Sequence, residues 1–233
     1  MRFQTPLVKG RLLRRYKRFL ADVAVESGEE VTAHCPNPGS MMGLREPGLR
    51  VWVEPNDDPK KKLSYAWRVC QLSDGTMVGI DTVVPNRVAK EALAARHIPA
   101  LAAYHSVRPE VAYGTRSRVD FLLTESGLPD AYVEIKNVHL LRQDDWAEFP
   151  DCVTERGTKH LRELMEVKAQ GARAVMLYVI QHEGCARFRI AEDLDPAYAA
   201  AFEEARAAGV EMLAHRCHVT LTGITLGPAI PIP

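Results

Sequence analysis

The 233-residue chain has no net charge, with 30 Lys and Arg against 30 Asp and Glu. That balance removes the bulk attraction to nucleic acid or membrane that a strongly basic protein would have. Cysteine is scarce: Cys35, Cys70, Cys152, Cys185 and Cys217 are scattered, odd in number and form no C-x-x-C pair. The pattern argues against a disulfide framework and for reduced thiols in a cytoplasm. His215 and Cys217 alternate as a plain strand would, and a structural zinc site shows tighter ligand pairs. Nothing at the N-terminus reads as a signal peptide, and no apolar run reaches membrane length, so no membrane partner is expected. There is no G-x-x-x-x-G-K-[ST] loop and no dinucleotide fingerprint, which argues against a protein that binds a small phosphorylated ligand. No helix-turn-helix with a basic recognition helix is visible, which argues against a simple operator reader. Ser40 is not in a G-x-S-x-G elbow, so a serine hydrolase is rejected. No internal repeat or low-complexity segment occurs.

What is present is organised around two adjacent strand-like stretches, 117–123 and 131–138. They are joined by 124–130, a connection rich in turn formers: Ser126, Gly127, Pro129 and Asp130. Asp120 lies near the end of the first stretch, and Glu134 and Lys136 lie two apart in the second. Side chains two apart on a strand share a face, so Glu134 and Lys136 emerge together while Ile135 points into a core. If the strands pair, Asp120 approaches the same place. Two carboxylates and one ammonium on a rigid surface can hold a divalent cation by oxygen ligands and activate a water beside it. The bland reading is a surface hairpin with an exposed Glu–Lys pair. The order Asp, thirteen intervening residues, then Glu-x-Lys resembles the active-site signature of the PD-(D/E)XK nuclease superfamily.

The rest of the chain supplies context. Residues 1–83 read as all-β, with short strands over 7–13, 19–25, 30–35, 50–54, 65–70 and 76–81. Five or six strands in about eighty residues is the size of an OB-fold, a barrel that often binds single-stranded nucleic acid. This part carries 13 Lys and Arg against 10 Asp and Glu, while the remainder carries 17 against 20. Arg11, Arg14, Arg15, Lys17 and Arg18 surround Tyr16, and Lys60, Lys61 and Lys62 follow in a turn. A backbone track for phosphate is their natural use, against the alternative of a solvated basic strand. Trp52 and Trp67 are assigned to the core rather than to base stacking. The segment 36–43 reads as a shaped Pro/Gly loop.

From residue 84 the pattern becomes α/β. Asn86 reads as the cap of a helix over about 87–95, and 106–113 as a strand. The stretch 100–104 is ambiguous, and 143–153 reads as a loop. A strong amphipathic helix runs over 154–170 and is stopped by Gly171. Residues 174–180 form an uninterrupted apolar run, as in a strand buried on both faces. A helix over 196–208, strands over 210–214 and 218–221, and a Pro-rich tail complete the chain. The expected fold is therefore an N-terminal OB-like barrel, residues 1–83, followed by a PD-(D/E)XK nuclease-like α/β domain with a mixed sheet, residues 84–233.

Longer stretches carry a closer likeness. These are 15–23, 31–37, 39–41, 117–123, 133–138, Phe149-Pro150-Asp151, Arg156-Gly157 and 159–164. Together they resemble the SfsA family, the sugar fermentation stimulation proteins of bacteria and archaea. Pro38 departs from the small polar residue the family usually places before Gly-Ser-Met. The resemblance implies an OB-like domain joined to a nuclease-like domain, DNA as partner, and a link to regulation of sugar (maltose) metabolism. It carries nuclease activity only as a structural suggestion.

If the protein is an enzyme, Asp120 and Glu134 ligate Mg²⁺ or Mn²⁺, with the Ile135 carbonyl as a third oxygen and Glu91 as a further carboxylate. Glu110 is the alternative to Glu91. Lys136 positions the attacking water or stabilises charge developing on phosphate. Arg116 and Arg118 are expected to hold DNA near the site, and Lys159 to reach a phosphate oxygen. His160, beside it on another helical face, cannot serve equally. The competing reading is a non-catalytic DNA-binding regulatory protein on a nuclease-like scaffold. Strand preference is left open, and a homodimer is allowed.

Overall fold

The computed structural model describes residues 1–114 and 117–233. The first six strands are β1 (Val8–Tyr16), β2 (Leu20–Val25), β3 (Glu30–His34), β4 (Arg50–Pro55), β5 (Tyr65–Gln71) and β6 (Met77–Gly79). They alternate as half-buried strands must: in β2, Ala21, Val23 and Val25 are buried and the residues between them are not. The order β3-β2-β1-β4-β5, with β3 also pairing β5, closes a five-stranded ring. Closure removes the unpaired edges that an open sheet would expose. Gly10 is required where β1 crosses β2, because a Cβ there would sit 2.7 Å from the Ala24 carbonyl oxygen. Trp67 is wholly buried inside the barrel, its indole N–H donating to the Val69 carbonyl at 3.0 Å. Trp52 is also buried, but in a core shared with the second half of the chain.

That half begins with α1 (Val84–Ala94), which starts earlier than expected. Pro85 lies in its first turn, where a fixed φ and a missing N–H cost nothing, and Val83 stands at the N-cap. Asn86 is therefore not a cap. A 3₁₀ turn, Pro99–Leu101, occupies the ambiguous stretch. Next come β7 (Ser106–Tyr113), β8 (Ser117–Thr124) and β9 (Ala131–Val138), with Gly127 at φ +80° turning the chain between the last two. Strands β10 (Leu140–Leu141) and β11 (Trp146–Phe149) follow, then α2 (Glu155–Ala169) and β12 (Arg173–Ile180). Last are β13 (Arg187–Ile190), α3 (Pro196–Ala207), β14 (Glu211–Val219) and β15 (Ile224–Ala229). The segment expected as a loop thus contains β11, which pairs in parallel with β13. The two short late strands are one strand, β14, with an irregularity between His215 and Cys217, and part of the tail forms β15.

The main sheet has the order β15-β14-β12-β9-β8-β7. Its centre is parallel, β9–β12–β14, and its flanks are antiparallel. One face packs on α1 and the barrel through Trp52, Val88, Leu93, Phe121 and Ile135. The other packs on α2 and α3 through Leu161, Leu164, Tyr178 and Tyr198. Polar contacts also join the two halves. Gly79 N–H donates to the Gln181 carbonyl at 2.8 Å, and Gln181 Nε2 donates to the Asp81 carbonyl at 3.0 Å. From the 36–43 loop, Ser40 Oγ donates to the Asp151 carbonyl at 3.0 Å. Gly39 permits that approach, since a Cβ would lie 2.6 Å from Asp151 Oδ2.

Candidate active site

Strands β8 and β9 pair from Leu123 with Ala131 to Phe121 with Val133, and their register ends there. Beyond that point the strands part, and the backbone of β9 needs another partner. Asp120 supplies it: its Oδ2 accepts from the Ile135 N–H at 2.7 Å. The side chain thus fills the gap the ladder leaves, as buried backbone donors require. Its other oxygen accepts from Asn86 Nδ2 at 2.7 Å, delivered by α1. Within a strand a residue's N–H and C=O point to the same side, so the Ile135 carbonyl faces the same gap.

Glu134 and Lys136 emerge on the α2 side of β9. Glu134 is 3% exposed. Its Oε1 accepts from Lys136 Nζ at 2.9 Å and from His160 Nδ1 on α2. Its Oε2 is buried with no hydrogen-bond partner. Arg156 Nε donates to His160 Nε2 at 3.3 Å, so the tautomer satisfying both contacts carries its proton on Nδ1. The 3.2 Å approach of Lys136 Nζ to that same nitrogen is then crowding rather than a second bond.

The two carboxyls are driven apart in acidity. Burial pushes Asp120 above its ordinary value, the Glu134 charge adds to this, and the Ile135 N–H, Asn86 and Lys136 recover only part. Burial also opposes ionisation of Glu134, but the His160 bond and the Lys136 charge outweigh it and hold that carboxyl below its ordinary value. A further acid lies beside them. Glu163 on α2 is buried, accepts from Ser117 Oγ at 2.6 Å and stands 3.4 Å from Lys159 Nζ. Burial first, then the charges of Glu134, Glu163 and Asp120, raise the pKa of Tyr113, which marks the tyrosine as part of the same acidic pocket.

Several expected participants lie elsewhere. Glu91 is 61% exposed and bound to the Met1 ammonium at 2.7 Å. It stands five residues past Asn86, about 140° around the helix, so α1 cannot present both to Asp120. Glu110 is exposed on β7 at φ +54°. Lys159 reaches Ser117 Oγ at 3.0 Å, at the rim, while the neighbouring His160 enters the site. Arg118 is exposed on β8, and Arg116 lies outside the described residues.

On the barrel, Arg14 Nε donates to Asp22 at 2.7 Å, and Tyr16 OH donates to the same carboxylate at 3.2 Å. Arg15 is occupied with the carbonyls of Arg18, Asn37 and Gly39, holding the 36–43 loop rather than facing solvent. Arg11 donates to the Gly48 carbonyl at 2.9 Å. Lys17 and Arg18 are exposed at the β1–β2 turn in the left-handed region, φ +47° and +62°.

Asn86 and Glu163 are the site residues that sequence reasoning missed, and His160 is the one it set aside in favour of Lys159. His160 left one signal: it falls on the buried stripe of α2 with Gly157, Leu161 and Leu164, where a histidine needs a partner.

The donor set suits a hard divalent cation. Asp120, Glu134 and the Ile135 carbonyl offer only oxygen, and the free buried Oε2 of Glu134 is an acceptor waiting for a positive partner. Among the described residues no three His, Cys, Asp or Glu side chains already stand as a ligand set. An ion here would complete its shell with water, as Mg²⁺ ordinarily does.

A closed OB barrel joined to a mixed α/β sheet with an acid–acid–lysine site defines the class. Residues 13–80 match the model of the SfsA N-terminal OB domain, and residues 83–223 that of the sugar fermentation stimulation protein RE domain. The chain is 64% identical over 233 residues to a sugar fermentation stimulation protein homolog of Dinoroseobacter shibae, covering 100% of this chain and 96% of that one. It is 53% identical to the homolog of Brucella anthropi over 232 residues, with 100% of both chains covered. The solved structure of Pyrococcus furiosus SfsA in complex with Ca²⁺ superposes with a TM-score of 0.87 at 27% identity, over 99% of this chain and 96% of that one. The chain belongs to the SfsA family.

Proposed function

We propose that this protein binds DNA and carries a metal-dependent phosphodiesterase site, acting in the regulation of sugar metabolism to which its relatives owe their name. The observation that carries the reading is the Asp120 carboxylate filling the β8/β9 gap beside Glu134, whose second oxygen is buried and free. Pure binding of an anion does not call for carboxylates turned toward it. Asp120, Glu134 and the Ile135 carbonyl would hold a Mg²⁺ or Mn²⁺, which would supply polarisation of the scissile phosphate and acidification of a water; Ca²⁺ in the archaeal relative is an ion of the same oxygen-seeking kind. Lys136 lies beside Glu134, where an ammonium orients a water and stabilises charge gathering on the phosphate. His160 and Arg156 fix the Glu134 carboxylate, and Lys159 stands at the rim to receive a phosphate oxygen.

One observation favours the non-catalytic reading: Glu134 Oε1 is already held by Lys136 and His160. The deciding experiment is cleavage of single- and double-stranded DNA with Mg²⁺ or Mn²⁺, comparing the wild type with Asp120→Ala and Lys136→Ala. Metal-dependent cutting by the wild type, lost by at least about 100-fold in both variants while DNA binding persists, is the expected result. Salt-sensitive binding with no cutting under either metal would leave a DNA-binding protein on an inactive scaffold.

A further inference from the structure

Resting on the DNA-binding reading, we infer that the barrel takes single-stranded nucleic acid on the stacked Phe19–His34 pair and in the cavity beside it, which Tyr65 borders. It shares Lys17 and Arg18 with the Arg11–Arg18 cluster that the sequence singles out, and differs in placing the bases on aromatic faces beyond the β1 arginines. Three observations carry it. Phe19 is 46% exposed, the largest apolar side chain the described surface leaves to water. It stacks on the exposed His34 ring, centroids 6.3 Å apart and planes within 23°. Such a pair presents an open aromatic face that no packing requires.

Register then leads to the next strand. Leu20, next to Phe19, pairs with His34, and His34 pairs with Ala66, while Tyr65 pairs with the buried Ala33 and packs toward the barrel core from the other face of its strand. His34, Tyr65 and Leu63 line a cavity of about 360 Å³ that opens beside the β4–β5 connection. That is the small end of ligand-site volumes and suits one flipped-out base. Cations flank the line at both ends. Lys17 and Arg18 are exposed at the β1–β2 turn, and Lys61 and Lys62 stand in the cavity wall. Of the acids nearby, Glu54 is neutralised by Arg68 at 2.7 Å, and Asp58 caps the backbone N–H of Lys60 at 3.0 Å; Asp57 is exposed.

Aromatic faces between cations fit a strand whose bases are unstacked and whose phosphates run alongside. A duplex cannot use them, because its base faces are already covered. Arg68, in the cavity wall, also bonds Asp81; the Asp81 carbonyl accepts from Gln181 Nε2, which donates to Asn137 beside Lys136. This surface and the carboxylates therefore sit on one rigid frame.

The test is fluorescence-anisotropy binding of a 12-nucleotide oligothymidylate and of a 12-base-pair duplex across a salt series, using the full chain. The wild type is expected to hold the single strand at least about tenfold tighter. Phe19→Ala and Tyr65→Leu each lower single-strand affinity by roughly 5- to 150-fold, the factor that base-on-aromatic stacking carries, with duplex affinity unchanged. Tyr65→Leu keeps an apolar side chain in the half-buried position, and Phe19 is exposed, so neither variant unfolds the barrel. The Lys61→Ala, Lys62→Ala double variant lowers the salt slope on single strands by about 1.4. Equal affinity for duplex, or insensitivity to both aromatic variants, overturns this assignment while leaving DNA binding intact. Absence of binding to either nucleic acid overturns both readings.

Discussion

Asn86 shows how one side chain sets a neighbour's orientation. It donates to Asp120 Oδ1 at 2.7 Å, while the Ile135 N–H holds Oδ2. Such second contacts typically carry 10- to 100-fold in metal affinity. On the proposed metal site, Asn86→Ala is expected to weaken Mn²⁺ binding, read by isothermal titration calorimetry, by about tenfold or more. An unchanged affinity would show that the Ile135 amide alone orients the carboxylate. Strand periodicity made Glu134 and Lys136 visible as a pair, and the turn joining the two strands, with the likeness to the PD-(D/E)XK signature, added Asp120. The roles of Asn86 and His160 were hidden because they depend on where two helices dock, which no local pattern encodes.

At the scale of elements, the entries of α2 and α3 are tied by one carboxylate. Asp195 Oδ1 accepts from Tyr198 N–H at 3.0 Å, capping α3, and its Oδ2 accepts from Thr154 N–H at 2.7 Å, at the start of α2. Thr154 in turn caps its own helix by accepting from Gly157 N–H at 3.1 Å. Losing the Thr154 hydroxyl should cost about 1 kcal/mol, as an exposed cap does. Asp195 is 2% exposed and serves two helices. Asp195→Ala leaves two donors unsatisfied in a buried setting and should cost about 3 kcal/mol. Urea midpoints of Thr154→Ala and Asp195→Ala in the same buffer decide this, and equal losses would refute the shared-cap account. The helices themselves were legible, since α2 has an apolar stripe, a Thr cap and a terminating Gly171. Strand β11 was not: it is four residues long, and its Trp146 is covered by Arg187 at 4.4 Å, a contact supplied from a distant strand. Asn86 has the side chain of a cap, but Pro85 before it already lies in the first turn of α1.

The whole molecule behaves as one body because the seam between its halves is buried and polar. His182 belongs to that seam, bridging to Val78 of β6. Burial first, then the nearby His139, lowers its pKa to about 4 from 6.5. The folded protein therefore binds fewer protons than the unfolded chain between those values, and stability must fall as pH drops through that window. The contribution is at most about 3 kcal/mol and is complete by pH about 4. Urea unfolding at pH 7.0 and 5.0 should show the loss, and His182→Gln should flatten it. Asp151 acts in a separate range: burial opposes its ionisation, yet His139 and the Met41 N–H hold it below its ordinary value, so its contribution is lost only under stronger acid. A slope between pH 7.0 and 5.0 that survives His182→Gln would place the titrating group elsewhere.

The two family models divide the chain between residues 80 and 83, as units of inheritance. The seam makes those units poor candidates for exchange. Ser40 on one side answers Asp151 on the other, Asp81 answers Gln181, and Trp52 leaves the barrel to enter the sheet's core. A recombinant that drew each half from a different ancestor would juxtapose surfaces never fitted to one another. Exchanging either half therefore requires the matching face of its neighbour to travel with it.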